Sequence, residues 1–216
     1  MPERVTVLAP HPDDEAIGCG GTLCLHRARG DPVHVVFLTS GEAALPDRAA
    51  EAVWAIREAE AHQAAKVLDV GRVDFLRLPD MGLADHIALA AARLRTVLQA
   101  YPADLIYLPH PGESHPDHEA VLPILRAALA EAVPPSTPEL RGYEVWSPMA
   151  QYGWVEDISE VMGQKLRAIR CYRSQLDMIR YDRAVRGLNR FRGILNAASR
   201  YAEAFQYYAA HSGGER

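Results

Sequence analysis

The sequence predicts an α/β fold, a Rossmann-like three-layer α/β/α sandwich built on a mainly parallel sheet. Three observations carry that expectation. Short apolar runs rich in β-branched residues recur, VTVLA at 5–9, VHVVFL at 33–38, VDFLRL at 73–78 and DLIYLP at 104–109. Their near-continuous apolarity is that of strands covered on both faces. The segments between them switch to helical period. Finally, each run ends in a polar, turn-forming cluster, where the strands of an open parallel sheet reach the ligand-binding rim.

Taken in order, the first strand stops at Ala9, and PHPDDE precedes AIGCGGTLCLHRA. The acids there suit the positive end of a helix dipole. The second strand gives way to TSGE at 39–42 and the third to PDMG at 79–82. Ile87, Ala91, Leu94 and Leu98 then repeat at three and four residues and line one helix face. The fourth strand leads into HPGESHPDH at 110–118. Within it Ser114, Pro116 and Asp117 have the form of a helix start, with a capping serine, a first-turn proline and an acid three residues on. A further strand, YEVW at 143–146, is expected after the proline-rich VPPSTP, and helices near 159–173 and 181–200 after that. No internal repeat interrupts the pattern, and 216 residues suit a single domain spanning 1–216.

Composition narrows the function. With 49% hydrophobic and 24% charged residues the chain is ordinarily globular, and its formal net charge of −5 argues against a broad grip on nucleic acid. The opening MPERVTVLAP lacks a charged region followed by a long apolar stretch, and no run approaches a membrane span. A cytoplasmic protein with a small-molecule partner is therefore expected. Cys19, Cys24 and Cys171 form no CxxC pair, as core thiols in a reducing compartment would.

Helix capping accounts for the acids of both His-containing clusters but not for their histidines. His115 and His118 stand three apart on one helical face, and His11 sits at a tight strand-to-helix turn beside Asp13 and Asp14. With both clusters on one rim, a shared metal site follows. Two imidazoles and one carboxylate, with positions left open for water, make a catalytic set for zinc or ferrous iron. Neighbouring Asp side chains diverge, so one reaches the metal and the other stays free as a base. Spacing alone does not say which.

PHPDDEAIGCGGTL with a later HPDH resembles the PIG-L/LmbE-like N-acetylglucosaminyl deacetylases, which include mycothiol and bacillithiol biosynthetic enzymes. TSGE, Arg57 and Glu60 in RxxE, Asp80 in LPD, YEVW and YRSQ extend the likeness over most of the chain. The resemblance implies that His11, Asp14 and His118 bind the metal and that Asp13 is the general base. It further implies that His115 stabilises the oxyanion and can also protonate the leaving amine, and that Asp117 orients or polarises a histidine. The implied reaction is metal-assisted hydrolysis of an N-acetyl group on an N-acetylglucosamine-containing small molecule, such as a bacillithiol-type precursor, with Zn²⁺ or Fe²⁺ as cofactor. Arg57, Asp80 and Glu113 are the substrate-contact candidates. Glu113 replaces the tyrosine that the mycothiol-type enzymes carry two residues before HPDH. The family often forms trimers or hexamers.

Rival interpretations are weaker. GCGG at 18–21 lacks the full GxGxxG spacing, so close helix packing explains its glycines better than phosphate binding. A ferrous-iron oxygenase shares the two-histidine, one-carboxylate set but is usually built on antiparallel β-barrels. A catalytically silent sugar-binding protein would have lost a ligand or base, and every such position is filled. His110 is expected as a loop or lining residue, and Arg180, Arg183, Arg186 and Arg190 as a solvated helix face.

Overall fold

The computed structural model describes residues 1–131 and 137–210. Its centre is a seven-stranded sheet in the order β3-β2-β1-β4-β5-β7-β6. β1 (Val5–Ala9), β2 (Val33–Thr39), β3 (Arg72–Leu78), β4 (Leu105–Pro109) and β5 (Glu139–Tyr143) run parallel. β7 (Ala202–Tyr208) joins β5 antiparallel and β6 (Trp154–Asp157) pairs antiparallel with β7. The sheet is thus mostly parallel, with its antiparallel part confined to one edge.

Every residue of β1, β2 and β4 is buried, and successive side chains feed opposite cores. Val5, Val7, Val35, Phe37 and Tyr107 face the layer of α1 (Asp14–Arg29), α2 (Ala50–Leu68) and α5 (Met162–Ile169). Leu8, Val36, Leu38, Ile106 and Leu108 face that of α3 (Ile87–Ala100) and α4 (Pro116–Ala130). The glycines of α1 serve packing, as expected. A Cβ at Gly18 would overlap the Tyr143 ring, and one at Gly21 would meet Ile158 Cγ2 at 2.7 Å. Behind them Glu203 of β7 accepts from the Gly21 and Thr22 amides at 2.8 Å and from Lys165 Nζ at 2.6 Å, tying α1, α5 and the sheet edge together.

The C-terminal third departs from expectation. The strand expected at 143–146 lies earlier, at Glu139–Tyr143, because the Val145 and Trp146 amides donate to the Glu113 carboxylate instead of a ladder. The helix expected near 159–173 is α5 followed by the short α6 (Arg173–Leu176), and that near 181–200 is α7 (Tyr181–Arg192) followed by a π turn at Gly193–Ala197. β6 and β7 escaped notice because a short, half-buried antiparallel edge has no apolar run. The VPPSTP connection at 133–138 falls mostly outside the described residues. Cys19, Cys24 and Cys171 are free, the first two buried. Among the described residues no helix is long and apolar enough to cross a membrane.

Candidate active site

Strand order explains why clusters distant in sequence meet. The chain winds outward one way through β1, β2 and β3 and the other way through β4 and β5, so the switch point lies between β1 and β4, which pair directly. Loops leaving the C-terminal ends of two such strands diverge and open a crevice. The β1 loop delivers His11, Asp13 and Asp14 to it, and the β4 loop delivers His115, Asp117 and His118. A cavity of about 250 Å³ opens there, lined by His11, Asp13, Asp14, Arg57, Asp80 and His115 among others.

Three donor atoms converge at its floor. His11 Nδ1 lies 3.2 Å from Asp14 Oδ2, and His118 Nε2 lies 3.3 Å from each of them. Edges of 3.2 and 3.3 Å are those of a tetrahedron whose centre lies about 2 Å from each corner, the bond length of a transition metal to nitrogen or oxygen. His115 offers a further ring nitrogen within 4.8 Å of those of His11 and His118. Asp14, not Asp13, is therefore the carboxylate brought to the histidines.

The far side of each imidazole meets a carboxylate. His11 Nε2 sits 3.1 Å from Asp80 Oδ1 and 3.3 Å from Asp117 Oδ2. Asp117 is anchored in turn by the Met81 and Leu83 amides at 2.8 and 3.0 Å, and Asp80 Oδ2 by the Ala43 amide at 2.8 Å. His118 Nδ1 lies 3.3 Å from Glu113 Oε2, within ion-pair reach but off the hydrogen-bond line. Such outer carboxylates orient metal-ligating histidines and raise their basicity.

Of the substrate-contact candidates, Arg57 and Asp80 line the cavity and Glu113 does not. Glu113 is 1% exposed and does not line the cavity. It accepts from the Val145, Trp146 and Ser147 amides and approaches His110 Nε2 at 3.2 Å as well as His118. Burial would raise its pKa, but the close His110 and His118 rings and the amide hydrogen bonds outweigh that and hold it at about 2. Sequence reasoning saw the departure from the tyrosine pattern but not that a buried acid could serve the histidine five residues on. Arg57 does line the cavity, yet its guanidinium donates to the Pro12 and Gly41 carbonyls at 2.5 and 3.2 Å and is 3% exposed. It buttresses the loop that carries Asp13. His110 donates to or accepts at neither cavity nor triangle; its Nε2 contacts the Ser147 carbonyl at 2.7 Å.

Asp13 stands apart from the triangle, against Arg57 Nη2 at 3.4 Å. Its backbone has φ of 133°, a conformation rare for any residue but glycine. Glu15 braces it, accepting from the Asp13 amide at 3.3 Å while Tyr172 Oη lies 2.5 Å from its other oxygen. Glu15 and Tyr172 occur in the motifs HPDDE and YRSQ, but nothing in either motif reveals that they touch. Burial pushes the Asp13 carboxyl up to about 7 against the pull of Arg57. The same burial favours neutral His11 and His118, but contacts with Asp117, Asp14 and Asp80 raise His11 well above its ordinary value, and Asp14 and Glu113 raise His118 to about 9. Asp14 is held low because those two rings outweigh its burial.

His115, not Ser114, caps α4. Its Nδ1 accepts from the Asp117 amide at 3.2 Å. An accepting Nδ1 carries no proton, so the neutral ring must carry its proton on Nε2. Burial, then the nearby His11 and His118 charges, lower its pKa and keep it neutral. The capping role that sequence assigns to Ser114 thus fixes the tautomer of a cavity histidine. Another part of the wall is Trp146, the last residue of YEVW, and Tyr181, which no motif marks, T-shaped at 5.7 Å. Arg180, Arg183, Arg186 and Arg190 are all exposed, as a solvated face would be.

A buried donor triangle at the switch point of a mostly parallel sheet, with a carboxylate outside the triangle and a neutral imidazole beside it, defines an α/β enzyme with a candidate metal centre. The chain belongs to the PIG-L family, described as GlcNAc-PI de-N-acetylase, whose model matches residues 6–129. It is 30% identical over 192 residues to the probable N-acetyl-alpha-D-glucosaminyl L-malate deacetylase 2 of Bacillus subtilis (strain 168), covering 82% of this chain and 85% of that one. Diacetylchitobiose deacetylase of Thermococcus kodakarensis is 31% identical over 192 residues, covering 80% and 70%. Among solved structures, the conserved protein TT1542 from Thermus thermophilus superposes with a TM-score of 0.83 at 28% identity, over 99% of both chains.

Proposed function

We propose that this protein is a zinc-dependent or ferrous-iron-dependent N-deacetylase that hydrolyses the acetamide of an N-acetylglucosamine-containing small molecule, with a GlcNAc-malate-type precursor as the favoured substrate. The observation that carries it is the His11–Asp14–His118 donor triangle with Asp13 free beside it. Deacetylase relatives named for GlcNAc-malate and diacetylchitobiose support the substrate class. Two imidazoles and one carboxylate suit zinc, and ferrous iron equally. The oxygenase alternative loses its structural footing, since the sheet is mostly parallel and not an antiparallel barrel.

His11, Asp14 and His118 would hold the cation. When bound, it supplies Lewis-acid chemistry, polarising an amide carbonyl and acidifying water. Asp13 takes the proton of the attacking water, and its elevated pKa makes the protonated form competent to pass that proton to the departing amine. His115, neutral and protonated on Nε2, donates to the oxyanion that develops on the acetyl carbonyl. Its fixed tautomer favours this role over protonating the amine. Asp117 and Asp80 hold His11, Glu113 holds His118, and Arg57 holds the Asp13 loop.

Acetate release from a panel of N-acetylglucosamine conjugates, comparing metal-stripped protein with protein given Zn²⁺ or Fe²⁺, tests this. Metal-dependent release is expected, and no release from any conjugate with metal bound would overturn it. We further infer a cytoplasmic homo-oligomer, a trimer or hexamer. Phe191, Ile194 and Leu195, 54, 54 and 64% exposed beside one another, support self-association. Sedimentation of a monomer would refute it.

A further inference from the structure

The backbone at Asp13 is strained for a reason that α1 does not supply. Among the described residues, the other non-glycine residues of positive φ are Asp69, Arg77, Met81 and Ala198, all between 48 and 64° in the left-handed helical region. Asp13, at 133°, lies outside it. Starting the helix does not require this. The Asp13 carbonyl accepts from the Ala16 and Ile17 amides at 3.1 and 3.0 Å, and its ψ of −27° is already helical. Turning the Pro12–Asp13 peptide unit over would bring φ to about −50°, an ordinary helical value. Strained backbone of this kind persists only where its surroundings over-determine it.

Both poles of that peptide unit are clamped by buried side chains. Its carbonyl, on Pro12, accepts from Arg57 Nη2 at 2.5 Å, and its amide, on Asp13, donates to Glu15 Oε2 at 3.3 Å. The other oxygen of Glu15 accepts from Tyr172 Oη at 2.5 Å, so Tyr172 sets the rotation of the carboxyl group that receives the amide. Tyr172 is fixed in turn. Two residues on, the Ser174 amide and hydroxyl donate to Glu60 at 2.8 and 2.7 Å, and Glu60 stands one helical turn from Arg57 on α2. RxxE and YRSQ thus close on one peptide unit from its two ends.

We propose that Tyr172 and Glu15 are positioning residues for Asp13, latching the Pro12–Asp13 peptide in its strained orientation so that the Asp13 carboxylate stays free for the cavity. The proposal rests on Asp13 being the base, as inferred above. With the latch released, the peptide turns to its relaxed orientation and the Pro12 carbonyl leaves Arg57. Arg57 Nη2, which stands 3.4 Å from Asp13 Oδ2, then closes on the carboxylate and holds it as an ion pair. The strain is what keeps these two charges apart.

The test removes one hydroxyl, with Tyr172→Phe, and uses the metal-loaded protein. In acetate release from N-acetylglucosaminyl malate, kcat should fall about 10- to 100-fold with KM unchanged. Metal content by atomic absorption should stay at the wild-type level, because no donor of the triangle is touched. A crystal structure of the variant should show the Pro12 carbonyl turned away from Arg57. In the Asp13→Asn background the same substitution should cause no further loss, since its route to the reaction is already gone. If Tyr172→Phe does not fold, Glu15→Leu, which deletes the acceptor at similar size, takes the same measurements. An unturned peptide or lost metal overturns the latch outright. Where Asp13→Asn is impaired, full kcat in Tyr172→Phe or an equal fractional loss in the double variant overturns it too. The crystal structure needs no turnover, so the two inferences fail separately. A turned peptide with full activity in Asp13→Asn sinks the base and leaves the latch. An impaired Asp13→Asn with an unturned peptide in Tyr172→Phe does the reverse.

Discussion

The two rims of the sheet carry similar residue types and use them in opposite ways. At the N-terminal rim the charges pair at the surface: Arg4 with Asp104, Arg27 with Asp69, and Arg72 with Asp74, which His34 also reaches. At the C-terminal rim Asp13 pairs with Arg57, but the groups of the donor triangle are buried and shared. Asp14 is shared by His11 and His118, His11 by Asp14, Asp80 and Asp117, and Glu113 by His118 and His110. Cavity size does not separate the rims, since the N-terminal one holds about 420 Å³ and the C-terminal one about 250 Å³. What separates them is that buried groups at one rim have more acceptors than protons, an imbalance a cation would relieve. At the other rim every charge named above is already answered.

The largest break in that contrast should come from His118→Ala, which removes one corner of the triangle. Metal content by atomic absorption should fall to background and activity with it, and unchanged content would dismantle the proposed ligand set. Asp13→Asn should keep its metal yet lose roughly 10²- to 10⁴-fold in kcat, the usual worth of a positioned base. The wild-type pH profile sharpens this. Asp13 must be deprotonated to work, burial lifts it to about 7, and a cation would pull it back, so kcat/KM should rise with pH through a limb at or below about 7. Metal affinity should rise with pH as well, since the cation displaces protons from His11 and from His118, which metal-free holds its proton up to about 9.

A smaller effect is expected from Glu113→Gln, a loss of about 10- to 100-fold in metal affinity, as for other partners of ligating histidines. Its sign with pH is defined. The folded pKa is depressed from 4.5 to about 2, so the stability it contributes is present above the unfolded value and is lost as pH falls between them. The variant should therefore lose part of the wild-type acid transition seen by circular dichroism. If instead it binds metal normally but weakens substrate, Glu113 belongs to the pocket after all. Least should follow from Arg72→Ala at the opposite rim, less than about 1 kcal/mol in denaturant melts with turnover unaltered. A larger loss there would erase the distinction between the rims.

How much of this was legible beforehand varies along the chain. β1, β2, β4 and the rim carrying HPDDE and HPDH could be read because fully buried strands have no polar face to disguise them, and half-buried β3 through its VDFLRL run. β6 and β7 could not, since pairing between Trp154–Asp157 and Ala202–Tyr208 is non-local and amphipathic. Among site residues, His11, Asp14 and His118 were named from residue type and motif. Arg57 and Glu113 were both named as substrate contacts, yet Arg57 lines the cavity while Glu113 lies behind it, because a polar residue near a rim reads alike whether it faces substrate or backs a neighbour. Ser114 looked like the cap because serine is the commoner one, and His115 took the position.

The sequence by itself determined the fold class, the rim and the inventory of titratable groups, because hydrophobic period and ligand chemistry are local properties of residues. Only the tertiary structure decided which Asp faces the histidines and which faces Arg57, where the proton of His115 must sit, and that Glu113 is an inner support. Those assignments depend on burial and on angles between side chains from separate strands. The β1–β4 switch point brings these groups within 3.3 Å, a distance no spacing along the chain encodes.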